Sequence, residues 1–169
     1  GGYKMKKYTV VDLFCGAGGF SYGMHKNSHF KTVVAIDFNE KAADTFKKNM
    51  PDTEVIVGDI TDDKTKDRII TESKLKGVNM IIGGPPCQGF SMKGKKLGLN
   101  DPRNFLFMEY LNLVQEIQPE VFVIENVKSL LNTAGGWFKD EILNYIHKLG
   151  YKVQYGVLNA KKFGVPQAR

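Results

Sequence analysis

From residue 8 onward, short β-branched or apolar runs alternate with segments of helical periodicity, and this alternation constrains the fold more than any single motif. Residues 8–14, 32–37, 53–57, 79–82, 121–125 and 152–159 read as strands, with 121–125 as a buried one. Residues 21–26, 40–49, 64–73, 104–117 and 137–149 read as helices. Two carry a clear inward stripe: Phe107, Tyr110, Leu111, Val114 and Ile117 on one, Phe138, Ile142, Tyr145, Ile146 and Leu149 on the other. Parallel strands need crossover connections, and repeated strand–helix units supply them. The expected fold is therefore α/β, a mostly parallel doubly wound sheet covered on both faces, with ligands beyond the carboxyl ends of its strands.

A chain of 169 residues suits one domain, here residues 5–169; Gly1 to Lys4 precede Met5 and read as an appended remnant. With 42% hydrophobic and 25% charged residues, disorder is excluded, and two cysteines exclude a disulfide scaffold. No apolar run approaches the roughly 18 residues of a membrane span, and no apolar signal region follows the Lys-rich start, so the expected setting is intracellular. Twenty-four Lys and Arg against 18 Asp and Glu leave a net charge of +6, which permits a polyanionic partner without identifying one. His25, His29 and His147 show no ligand spacing with the cysteines, and no metal is expected.

The first strand runs into Asp12-Leu13-Phe14-Cys15-Gly16-Ala17-Gly18-Gly19-Phe20, a glycine-rich turn over which a ligand can approach the backbone closely. Ser21 stands where a dinucleotide fingerprint wants its third glycine, which disfavours a pyrophosphate. Asp37, at the end of the second strand, can accept from both hydroxyls of a ribose. Phe38 offers a flat face to an adenine, and Asp59 adds a carboxylate to the same rim. Together they suggest an adenosine moiety without a phosphate; the alternative is a simple chain turn with Phe38 in the core.

The fourth strand ends in Gly83-Gly84-Pro85-Pro86-Cys87-Gln88-Gly89-Phe90-Ser91, a rigid frame that presents one thiol at the rim. Cys87 is the candidate nucleophile and Cys15 a small filler of the glycine turn; an inert thiol is the alternative for Cys87. Glu125 emerges from an apolar strand into Glu125-Asn126-Val127, where desolvation would suit a general acid, unless it caps a helix or pairs with a cation. Strands four and five are expected to be neighbours, which would let Cys87 and Glu125 converge on one ring. Residues 91–102 form the longest connection without a pattern. Ser91, Lys93, Lys95 and Lys96 make it a candidate for phosphate contacts, against a solvated surface loop.

These motifs, with Val165-Pro166-Gln167-Ala168-Arg169, resemble the cytosine-C5 DNA methyltransferase family, in the family's order and over nearly the whole chain. The resemblance implies a Rossmann-like S-adenosylmethionine-dependent methyltransferase fold, with S-adenosyl-L-methionine as donor and S-adenosyl-L-homocysteine as product. It also implies that Phe14, Gly16 and Gly18 line the donor pocket, that Asp37 holds the ribose and Phe38 stacks on the adenine. Asp59 and Ile60 would contact the adenine, and Pro86 and Leu106 would complete the pocket. Cys87 would add to carbon 6 of a flipped cytosine, Glu125 would serve ring nitrogen 3, and Arg169 would match the first arginine of a Gln-x-Arg-x-Arg motif. Double-stranded DNA is the implied partner, and a bacterial restriction-modification system in the cytoplasm the implied setting.

The resemblance also implies more chain than is present. Family members continue past that motif with a second basic residue, a final strand, a variable target-recognition domain and a returning segment. The expectation is a catalytic region lacking these, inactive in isolation, and completed by a C-terminal half or second subunit. The alternatives are a catalytically silent donor-binding subunit or fragment of a split methyltransferase, or a tRNA cytosine-C5 methyltransferase. Methyltransferases of exocyclic amines are disfavoured because they carry an acidic residue or Asn before Pro-Pro and an aromatic after it, where this chain has Gly84 and Cys87.

Overall fold

The computed structural model describes residues 5–86, 105–126, 129–132 and 136–167. Its chain divides into two compact units, residues 1–89 with 95–126, and residues 90–94 with 127–169. The first holds β1 (Tyr8–Leu13), α1 (Gly19–His25), β2 (Phe30–Asp37), α2 (Glu40–Asn49), β3 (Glu54–Val57), α3 (Asp63–Leu75), β4 (Met80–Gly83), α4 (Phe105–Ile117) and β5 (Val121–Ile124). The second holds α5 (Ser129–Asn132), α6 (Trp137–Lys148) and a 3-10 turn (Ala160–Phe163).

The five strands lie in the order β3-β2-β1-β4-β5, all parallel. From β1 the chain steps outward to β2 and β3, then returns past β1 to place β4 on its other side. Right-handed crossovers put α1 and α2 on one face and, after the reversal, α3 and α4 on the other. In agreement, α3 packs against α4, and Lys66 of one pairs with Glu109 of the other at 3.3 Å. The reversal opens a crevice between the carboxyl ends of β1 and β4, where a doubly wound sheet binds its ligands.

β1 is central and buried on both faces, with Val10, Val11 and Leu13 fully enclosed, which explains its near-continuous apolar run. Two helix starts follow from side-chain caps: Asn39 Oδ1 accepts from Ala42 N at 3.1 Å to open α2, and Asp62 Oδ2 accepts from Thr65 N at 3.0 Å to open α3. In the second unit α6 buries Phe138, Ile142 and Ile146, one stripe at four-residue spacing, and α5 packs on it.

Two expectations are corrected. Residues 152–159 form no strand, since alternating residues become a strand only beside a partner; Tyr155, Val157 and Leu158 remain exposed. β5 is not a buried strand: Val121 and Val123 are exposed and Phe122 and Ile124 half-buried, because among the described strands only β4 pairs with it.

Candidate functional site

The glycine turn after β1 is held in place by the neighbouring strand. Cys15 N donates to Ile36 O at 2.9 Å, and Gly16 N donates to Asp37 Oδ2 at 2.8 Å. Phe14 and Gly16 both sit in the left-handed region, at φ 59° and 53°. For a phenylalanine this conformation costs about 1 kcal/mol or more, tolerated where the surroundings impose it. Gly18, at φ 94°, is left-handed as well, and a Cβ there would lie 2.7 Å from the Phe46 ring of α2, where the turn meets the core.

The result is a cavity of about 230 Å³ beyond the strand ends, lined by Phe14, Ile36, Asp37, Phe38, Gly58, Asp59, Ile60, Pro86, Phe105 and Leu106. Seven of the nine residues expected at a donor pocket are thus brought together, and Gly16, which does not line the cavity, bonds to Asp37, which does. Gly18 does not line the cavity; it lets the turn pack. Sequence reasoning missed Ile36, Gly58 and Phe105. Each adjoins a predicted site residue; strand-end adjacency was the available signal for Ile36 and Gly58, and adjacency to Leu106 for Phe105, which opens α4.

Asp37 is half-buried and already accepts one backbone N–H on each oxygen, Gly16 N on Oδ2 and Asn39 N on Oδ1 at 2.9 Å. Each oxygen keeps a further lone pair, which is the arithmetic a vicinal diol needs. Phe38 is 78% exposed, so it is no core residue. Asp59 Oδ1 accepts from Thr61 N and Thr61 Oγ1, at 2.9 and 2.8 Å, and the backbone bond holds the carboxyl below its usual range. Two carboxylates on the rim suit hydroxyl and amine donors and oppose a phosphate.

Below the turn lies a polar chain that the sequence did not disclose. Asp12 is 1% exposed and accepts from Ser21 Oγ at 2.5 Å, while Ser21 in turn accepts from Thr32 Oγ1 at 3.0 Å. Burial pushes the Asp12 carboxyl up to about 7, opposed by the Ser21 bond and helped by the charge of Asp37. Cys15 is buried beside Ala35, Phe46 and Met50, and burial pushes its thiol well up, as befits a filler.

On the far side of the crevice, β4 and β5 end in register, Gly83 opposite Ile124. Glu125 N donates to Gly83 O at 2.9 Å and Asn126 Nδ2 donates to Pro85 O at 3.0 Å. Tyr110 of α4, fully buried, donates its hydroxyl to Val123 O at 2.9 Å. Glu125 is exposed rather than desolvated as expected, because it continues an edge strand whose alternate residues already meet solvent. Cys87, Ser91, Lys93, Lys95, Lys96 and Arg169 lie outside the described residues.

The family model for C-5 cytosine-specific DNA methylase matches residues 8–169. The chain belongs to that family. Among curated relatives it is similar to the Type II methyltransferase M1.HphI of Haemophilus parahaemolyticus, 42% identical over 163 residues, which cover 95% of this chain and 43% of that protein. It is also similar to the Type II methyltransferase M.AquIA of Picosynechococcus, 42% identical over 170 residues, covering 95% of this chain and 68% of the other. Among solved structures it resembles the S. pombe Dnmt2 methyltransferase, with a TM-score of 0.73 and 25% identity over 96% of this chain and 48% of that one. This member of the C-5 cytosine family thus spans between about two fifths and two thirds of the length of those proteins.

Proposed function

We propose that residues 5–169 form the catalytic and donor-binding part of a DNA (cytosine-5-)-methyltransferase of a bacterial restriction-modification system. What supports this reading most is the crevice itself: a diol-accepting carboxylate and an exposed phenyl ring on one side, and the paired ends of β4 and β5 on the other. The cavity suits S-adenosyl-L-methionine. Asp37 would accept from the ribose hydroxyls, Phe38 would stack on the adenine, and Asp59 with Ile60 would contact its edge. Phe14, Pro86 and Leu106 would enclose the remainder, and Gly16 would hold Asp37 in place. When bound, this donor supplies a sulfonium methyl, the electrophile for an activated carbon, and leaves as S-adenosyl-L-homocysteine.

Carbon 5 of cytosine is too weak a nucleophile to take that methyl unaided. The Cys87 thiolate, next in sequence after Pro86, would form a bond to carbon 6 and move the ring's electron pair towards carbon 5 and nitrogen 3. Glu125 would hydrogen-bond nitrogen 3 and accept from the exocyclic amine, steadying the charge that develops. With the methyl on carbon 5, loss of the carbon 5 proton to water then lets the electrons return and expel Cys87 as a thiolate. The target must leave the base stack to reach such a pocket. Lys93, Lys95 and Lys96, with Ser91, would meet the backbone phosphates, and Arg169, the first arginine of the Gln-x-Arg-x-Arg motif, would belong to the catalytic site. DNA carrying 5-fluorocytosine tests the proposal, because fluorine at carbon 5 blocks the final elimination. The chain, joined to the region by which its relatives exceed it, should form a covalent adduct in the presence of donor. Equal trapping by Cys87→Ala would overturn the nucleophile assignment.

A further inference from the structure

The turn that leaves β4 contains a place that no side chain of its own occupies. A Cβ built on Gly84 would lie 2.9 Å from Glu125 Oε2, closer than real Cβ atoms come to any neighbour, and 3.6 Å from the Glu125 carbonyl. On both sides of that place the backbone is tied. Glu125 N is bonded to Gly83 O, and Asn126 Nδ2 to Pro85 O. The turn and the end of β5 therefore cannot slide apart cheaply, and the Glu125 carboxylate is the part free to yield.

We propose that Gly84 is a positioning residue for Glu125: the missing side chain at 84 is the seat of the carboxylate, and the Asn126–Pro85 bond sets how deeply it lies. The inference rests on the reading of Glu125 as the group that bonds the target base. Neighbouring glycines separate this role from a structural one. A Cβ at Gly83 would run into the Leu13 carbonyl and the Tyr110 ring, which are backbone and buried core, so a side chain there opposes the fold. At Gly84 the obstacle is the far end of a flexible side chain, and its backbone lies outside the left-handed region, so alanine is accommodated by moving the carboxylate alone. A side chain at 84 and a carboxylate from β5 compete for one place.

Gly84→Ala provides the test, in two arms. In the first, the chain is labelled with carboxyl-¹³C glutamate and the Glu125 resonance is identified by its loss in Glu125→Gln. Gly84→Ala should shift that resonance while leaving the melting temperature unchanged; an unmoved resonance overturns the proposal. In the second, adduct formation with 5-fluorocytosine DNA should slow by about 100-fold, the lower end of what a positioned proton donor supplies. Affinity for S-adenosylmethionine should stay the same. Adding Glu125→Asp, which draws the carboxylate back by one methylene, should recover part of the rate; a loss that this change does not relieve overturns the seat. Should the parent chain itself form no adduct, the proposed reaction fails, and the resonance still decides the seat.

Discussion

Asp12 makes the stability of this protein depend on pH in an unusual direction. Its carboxyl has an ordinary value of 3.8 and is pushed up to about 7 in the fold, first by burial. The groups around it do not reverse this: Ser21 donates to it, Asp37 repels it, and Cys15 and Tyr110 are themselves pushed further up by its charge. Between these two values the folded state binds more protons than the unfolded one, so stability falls as pH rises through the window and the loss is complete above about 7. At about 1.4 kcal/mol per pH unit the loss amounts to about 2 kcal/mol at pH 5 and about 4 kcal/mol at pH 8. Asp12→Asn keeps an acceptor for Ser21 and cannot ionise. Urea unfolding of both proteins at pH 5 and pH 8 isolates the effect, because groups that do not interact with Asp12 cancel in the comparison. The variant should gain about 2 to 3 kcal/mol on the parent over that interval. A difference that stays constant with pH would refute the argument and mean that the buried carboxyl ionises at no cost.

Phe38→Ala should leave stability within about 0.5 kcal/mol, since the ring is exposed, yet weaken S-adenosylmethionine binding by about fivefold in titration calorimetry. An unchanged dissociation constant would remove the stacking role. Tyr110→Phe deletes the bond to Val123 O within the core and should cost about 1 kcal/mol, lowering the melting temperature by about 2 to 4 °C. A melting curve identical to the parent's would mean that this bond contributes nothing net.

Much of the fold could be read from the sequence because its central strands are enclosed on both faces. Apolar runs such as Met80 to Ile82 and the capped start at Asn39 carry their own signals, and β1 to β5 fall within about two residues of expectation. The failures share one cause: pairing is a property of two strands. Residues 152–159 alternate as a strand should but pair with no strand among the described residues, and β5 looks buried in sequence but lies at an edge of the described sheet. The pocket was legible because its residues cluster at strand ends, where a reversed sheet exposes its crevice. The Asp12, Ser21 and Thr32 chain was not, since three elements must converge before those hydroxyls and that carboxyl meet. Gly84 reads in sequence as part of a rigid turn, and its role shows only once Glu125 occupies the space above it.

The strand order also sets a timetable for folding. β1, β2 and β3 neighbour one another in sequence, so their pairing closes short loops and can form while the rest of the chain is still being synthesised. By residue 60 the nascent chain has every strand end that carries Phe14, Asp37, Phe38, Asp59 and Ile60, but one side of β1 stands open until β4 arrives some seventy residues after β1 begins. Until then the buried strand at the centre of the fold is an edge, exposed to wrong partners. A pulse of S-adenosylmethionine during translation would meet that rim before Pro86, Phe105 and Leu106 complete the cavity.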